Sequence, residues 1–205
     1  MDKSRRTFLG IIGAAAASIT LARANKKIDE VVESVGGKSA PKRSTPLKPA
    51  GAQSIMNFNR HCTGCQLCVT HCPQHVLTPS TKLENFMQVE MNFNHGYCDI
   101  DCNKCSQVCP TGAILPITLE EKNALQIGHA VAYSEFCINN TETGHCGKCE
   151  EVCPAGAITL VEKNGKMIPA IDEEYCIGCG KCEYSCNATP IKAIIIEGHE
   201  VHKEV

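Results

Sequence analysis

The 205-residue chain has no tryptophan, and aromatic residues make up only 4% of it. A core of large rings packed on one another is therefore excluded, and something else must fill the interior. No apolar run approaches the roughly 20 residues a helix needs to cross a bilayer; the stretch Ile11 to Leu21 falls well short. A glycine-rich phosphate loop, a paired nucleophile and base, and a flavin or pterin signature are all missing, which leaves no small-molecule substrate in view. Nor is there a basic stripe: the formal net charge is −2 at pH 7, which argues against nucleic acid as a partner.

The residue in excess is cysteine, sixteen in all, and it falls into four runs. These are Cys62-x2-Cys65-x2-Cys68-x3-Cys72, Cys98-x3-Cys102-x2-Cys105-x3-Cys109, Cys137-x8-Cys146-x2-Cys149-x3-Cys153 and Cys176-x2-Cys179-x2-Cys182-x3-Cys186. The runs (62–72, 98–109, 137–153 and 176–186) recur every ~40 residues, which is the signature of an internal repeat. Pro73, Pro110 and Pro154 directly follow the first three runs, and Pro190 follows the fourth a little late. Counting from the prolines restores the register in Ala113-Ile114, Ala157-Ile158 and Ala193-Ile194.

A cubane cluster has four irons at tetrahedral corners, each needing one thiolate. Three closely spaced cysteines wrap a loop around three corners, and the fourth cysteine of the run is carried away to the other cluster of a pair. Four such runs imply four [4Fe–4S] clusters held by all sixteen cysteines. Structural zinc sites use two separated Cys-x2-Cys pairs, which these runs do not resemble. Disulfides suit an exported protein, but cysteines this close in sequence meet disulfide geometry poorly. The insertions Asp99–Asp101 and Ile138–His145 lengthen a first loop without removing a ligand. A missing or three-iron cluster at the third run is the alternative there, although all four of its cysteines are present.

With every iron ligated, no open site remains for substrate, so an electron carrier is expected rather than an enzyme. His61, Tyr97, Phe136 and Tyr175 precede the first cysteine of each run; they either cover the clusters or simply pack. His61, His71 and His145 adjoin cysteines and are not read as ligands.

The fold class expected is α+β, with duplicated bacterial-ferredoxin-like dicluster modules of short hairpins and helical turns around the clusters. Ile158–Val161 and Met167–Ile171 flank Asn164-Gly165, a hairpin signal. Ile114–Leu119 and His129–Tyr133 read as a second strand pair, and Phe86–Met91 as a further strand. The Cys-x3-Cys-Pro segments read as single helical turns ended by proline. Pairing of the runs, tandem (first with second, third with fourth) or nested (second with third inside first with fourth), is open from spacing alone.

At the N-terminus, Ser4-Arg5-Arg6-Thr7-Phe8-Leu9 precedes the apolar stretch and Ala22-Arg23-Ala24 follows it. The three parts make an export signal, and the Arg-Arg string resembles a twin-arginine signal. Residues 1–24 are thus expected to be a signal peptide cleaved after Ala24, giving a periplasmic protein. Residues 25–55, rich in breakers such as Gly36-Gly37 and Pro41, are expected to be a flexible linker, and 56–205 the four-cluster region.

With these features, Leu47-Lys48-Pro49-Ala50-Gly51-Ala52 and the long-loop third run, the chain resembles the MauM/NapG family of ferredoxin-type proteins. It departs from that family in its second run, where Cys98-x3-Cys102-x2-Cys105 stands for Cys-x2-Cys-x4-Cys. The resemblance implies a periplasmic four-cluster protein. Its partners would be a membrane-bound quinol-oxidising protein and a periplasmic reductase or cytochrome. A second implied reading is an electron-transfer subunit of a molybdopterin oxidoreductase or hydrogenase. Four-cluster subunits of that kind favour nested pairing.

Overall fold

Short elements are what this sequence can form, because cysteine runs and proline punctuation interrupt every apolar pattern. The structure, a computed structural model, describes residues 39–141 and 144–205. The expected signal peptide and residues 25–38 lie outside the described residues. Residues 42–205 form one unit.

Helix α1 (Ile55–His61) starts where the Ser54 hydroxyl accepts from the Asn57 N–H at 3.1 Å, and it buries Phe58. Its seven residues are too few to hold alone in water, so the packing of Phe58 is what fixes it. Four single-turn helices follow at repeat positions: α2 (Leu67–Thr70), α3 (Lys104–Gln107), α5 (Lys148–Glu151) and α6 (Lys181–Tyr184). Each carries the third cysteine of its run, as the helical-turn expectation required. The remaining helix, α4 (Leu119–Asn123), has a capping box between Thr118 and Glu121 and buries Lys122.

Among the described residues, six strands make three two-stranded antiparallel sheets. β1 (Leu77–Pro79) pairs with β2 (Val89–Met91), β3 (Leu125–Ala132) with β6 (Ile194–Glu204), and β4 (Ile158–Lys163) with β5 (Lys166–Ile171). In the β4–β5 hairpin, Asn164 and Gly165 adopt φ of 55° and 74°, the left-handed pair that a two-residue turn of this twist requires. The expected hairpin is therefore present.

Two strand expectations are corrected. β3 pairs with the C-terminal strand and not with Ile114–Leu119, whose backbone donors are used elsewhere. The Ile114 N–H points at the Cys109 sulfur (3.4 Å) and the Leu115 N–H donates to Gly51 O (2.9 Å). Within Phe86–Met91 only Val89–Met91 is strand, because Leu83–Asn85 is a 3-10 turn and Met87 sits at φ 65°.

The linker expectation is also corrected over its last part. Leu47, Ala50 and Ala52 are fully buried. The carbonyls of Thr45, Leu47, Gly51 and Gln53 accept from Gly198, Met91, Leu115 and His202 respectively. This segment has no periodicity because it pairs with four different partners instead of forming an element of its own. Its burial is fixed by what surrounds it.

Candidate metal centres

Each run contributes a loop, a helical turn and then a small apolar pair, and these three pieces build the sites. Four pockets of similar size, between about 280 and 400 Å³, are lined by four cysteines each. Site 1 has Cys62, Cys65, Cys68 and Cys109. Site 2 has Cys98, Cys102, Cys105 and Cys72. Site 3 has Cys137, Cys146, Cys149 and Cys186. Site 4 has Cys176, Cys179, Cys182 and Cys153. Every candidate cysteine is used once. Each site takes three cysteines from one run and the fourth from its partner, the crossing expected of paired cubanes.

Runs one and two exchange their fourth cysteines, and so do runs three and four. The pairing is therefore tandem, unlike the nested arrangement that the resemblance to four-cluster subunits favours. The exchange follows from the helical turn, which points the fourth cysteine away from its own loop. The apolar pair after it then closes the neighbouring pocket. Val76 and Leu77 line site 2 after Cys72, Ala113 and Ile114 line site 1 after Cys109, and Ala193 and Ile194 line site 3 after Cys186. The repeated Ala-Ile register thus walls sites 1 and 3, Ile158 lines site 4, and Val76-Leu77 takes that place at site 2.

The order in space differs from the order in sequence. Helix α2 packs on α3, joining sites 1 and 2, and α5 packs on α6, joining sites 3 and 4. Between the pairs, the Cys98 N–H donates to Cys179 O at 2.8 Å, so site 2 abuts site 4. Tyr97 and Tyr184 pack at a tilt across the same seam with centroids 5.8 Å apart, and the Lys181 ammonium sits 5.1 Å from the Tyr97 centroid. A Cβ at Gly180 would overlap the Phe93 ring, which explains a glycine where the two halves meet so closely. The four sites run 1–2–4–3.

The donor set and its electrostatics suit an iron–sulfur cluster. None of the sixteen cysteines is in a disulfide. Among the described residues, no three candidate donors converge closely enough to hold a single metal ion; the thiols surround a cavity, as a group of several atoms needs. Burial pushes the thiols of Cys68 and Cys149 up to about 11 and those of Cys105 and Cys179 up to about 12. It also raises Cys98, Cys137, Cys176 and Cys182. Buried thiols this crowded give up their protons only to a concentrated positive charge among them. Cys109 goes the other way: burial opposes ionisation, but N–H groups of Ile114, Thr111 and Ala113 and the Thr111 hydroxyl hold its thiol below the usual value. Backbone donors also reach Cys176 from Gly178 and from Ala130 (3.4 Å).

The flanking residues divide. Tyr97 lines site 2, Phe136 lies 6.5 Å from Tyr133 by ring centroids, and Tyr175 is exposed. His61 and His71 hydrogen-bond to the carbonyls of Asn57 and Leu67 (both 2.8 Å), and His145 is exposed. Sequence reasoning missed two buried lysines, Lys48 and Lys122, beside sites 1 and 2. Lys48 lay in the assumed linker. In Lys122, the only signal was the capping box that places it on the inner face of α4.

The 4Fe-4S dicluster domain family matches residues 61–113, which span the first two runs, and 144–189, which span the third run from Cys146 and all of the fourth. The methylamine utilization ferredoxin-type protein MauM of Methylophilus methylotrophus is 33% identical over 72% of this chain and 70% of its own length. MauM of Methylobacillus flagellatus is 32% identical over 70% of this chain and 64% of its own length. The ferredoxin-type protein NapG of Escherichia coli is 30% identical over 68% of this chain and 65% of its own length. The chain thus spans about two thirds of the length of these relatives.

Proposed function

The chain belongs to the ferredoxin-type protein family of MauM and NapG, and from that premise we propose that it is a periplasmic electron carrier relaying single electrons through four [4Fe–4S] clusters. It is an iron–sulfur electron-transfer protein and not an enzyme. The observation that carries the count is the sorting of all sixteen cysteines into four pockets of four. When bound, the clusters supply one-electron redox chemistry at potentials set by charge, hydrogen bonds to sulfur and exposure.

The protein's own part is to hold, space and insulate. The sixteen cysteines supply the thiolates, and the N–H groups of Ile114 and Ala130 neutralise part of the charge on Cys109 and Cys176. Val76, Leu77, Ile114, Ile158 and Ile194, all buried, keep water from the inner walls. Cys65 alone among the cysteines is exposed, which makes site 1 a terminus where a partner can approach. The 1–2–4–3 order supports a path with ends at sites 1 and 3. A membrane-bound quinol-oxidising protein as donor and a periplasmic reductase or cytochrome as acceptor fit such a two-ended carrier.

Iron and acid-labile sulfide on anaerobically purified protein test the count, with about 16 of each expected by four irons per four-cysteine site. Interacting S = 1/2 signals on stepwise reduction are expected with it. About 12 irons by the same rule, or zinc in their place, would overturn it. Cell fractionation with the N-terminal sequence of the mature protein tests export: recovery in the periplasm beginning at Asn25 supports it, and a cytoplasmic chain beginning at Met1 removes it.

A further inference from the structure

Three charged side chains are buried among the described residues: Lys48 at 1% exposure, Lys122 at 7% and Glu183 at 4%. The two lysines lie beside sites 1 and 2, and the glutamate lies beside site 4. Lys48 donates to Val89 O at 3.0 Å and stands 4.7 Å from the Phe58 centroid. Phe58 and Val89 both line site 1, and the Cys62 thiolate is one of the charges acting on Lys48. Lys122 donates to Asp99 O, its charge acts on the Cys98 thiol, and both residues line site 2.

In the second half no lysine among the described residues is buried beside a site, and the one buried charge is an anion that Arg43 compensates. Glu183 directly follows Cys182, accepts from the Ile196 N–H at 2.7 Å and is ion-paired with Arg43. Glu173 adds a negative charge that acts on Cys176. A cation held near a ligating sulfur in a low-dielectric interior favours the more negative, reduced state of the site, and an anion disfavours it. Exposure of Cys65 works in the same direction as the lysines, because water also stabilises the added charge.

We propose that Lys48 and Lys122 hold sites 1 and 2 at a higher reduction potential than sites 3 and 4, so that electrons enter at site 3 and leave at site 1. Each crossing between the halves, at Cys98 and Cys179, takes one electron from the second pair, which is oxidised, and adds it to the first, which is reduced. No bond forms or breaks. A one-electron redox protein at site 3 is the reductant and another at site 1 the oxidant. The proposal rests on the four-cluster reading and adds a direction to it.

The test is a stepwise redox titration of the full exported chain followed by EPR. In the wild type, the signals that appear first on reduction are expected to be broadened by a soluble gadolinium chelate, because site 1 opens to solvent at Cys65. Lys48→Met and Lys122→Met are expected to shift those first midpoint potentials downward, with Lys48→Arg and Lys122→Arg restoring them. First-appearing signals untouched by the chelate overturn the direction, and so do potentials unmoved by either substitution. Should the methionine variants lose iron, the chelate experiment on the wild type decides alone. Iron analysis on the same samples separates the two failures. A fully loaded chain without the shift overturns the direction only, whereas a wild type short of iron overturns the four-cluster reading beneath it.

Discussion

The two halves of the molecule repeat one plan, two runs exchanging their last cysteines, yet they are stabilised differently. The first half, with sites 1 and 2, has a side-chain core: Leu47, Phe58, Val76, Val89, Phe93 and Ile114 are among its fully buried residues. The second half has a longer sheet framework in β3–β6 and β4–β5, but its buried core is isoleucine, alanine and thiols, with no buried phenylalanine, leucine or methionine among the described residues. Ala130, Ala157, Ala188, Ala193, Cys176 and Cys182 are buried there with five isoleucines, Ile127, Ile158, Ile194, Ile195 and Ile196. Duplication therefore preserved the ligand plan and let the means of stabilising each copy diverge. A copy without buried rings depends more on what its cysteines hold.

The largest effect expected from this difference is on metal removal. Metal binding to such a site is part of folding, so stripping iron under anaerobic, reducing conditions should disorder the second half first. Hydrogen exchange should rise over 144–189 while segments around Phe58 and Val89 keep some protection; equal loss in both halves would erase the comparison. Next in size is Phe93→Ala, which empties the seam where Phe93 meets Gly180 and the Arg43 guanidinium (5.4 Å from the ring centroid). A loss of ~3–5 kcal/mol is expected for truncating a buried Phe. Denaturation should then change from one transition to two as the halves separate.

Arg43→Ala should cost less, about 1–3 kcal/mol for a charge-assisted hydrogen bond lost at a partly exposed position. Arg43 also donates to Ile196 O at 2.6 Å, so exchange should rise selectively in β6 and around α6. A response centred on the first half would misassign Arg43. The smallest effect is expected at Gly165→Ala. Its φ of 74° penalises an added Cβ by about 1–2 kcal/mol, and no atom stands near enough to clash. The loss should stay within the β4–β5 hairpin and leave iron content unchanged.

Much of this was legible in the residues. The four cysteine runs, the helical turns at their third cysteines and the Asn164-Gly165 hairpin all depend on neighbours within a few positions. The β3–β6 pairing was not legible, because Ile194–Glu204 lies far along the chain from Leu125–Ala132 and only their packing against the sites brings them together. The segment around Leu47-Lys48-Pro49-Ala50 looked like a linker for a related reason: it has no period of its own, and its partners are Val89, Met91, Leu115 and β6. Lys122 illustrates a third limit. A lysine in a short charged helix ordinarily faces water, and only the Thr118–Glu121 cap and the position of Asp99 turn it inward.

By itself the sequence determined which cysteines act together within a run, since a cubane's corners are spanned by two or three intervening residues in all but the first gap of the third run. It also determined that the runs are copies of one another, through the recurring proline and Ala-Ile register. Only the tertiary structure decided which runs exchange their fourth cysteine and that site 2 meets site 4. It also decided that positive charge is buried in one half and negative in the other. Those are contacts between segments tens of residues apart, decided by how Phe93, Gly180, Lys48 and Glu183 pack rather than by any local spacing.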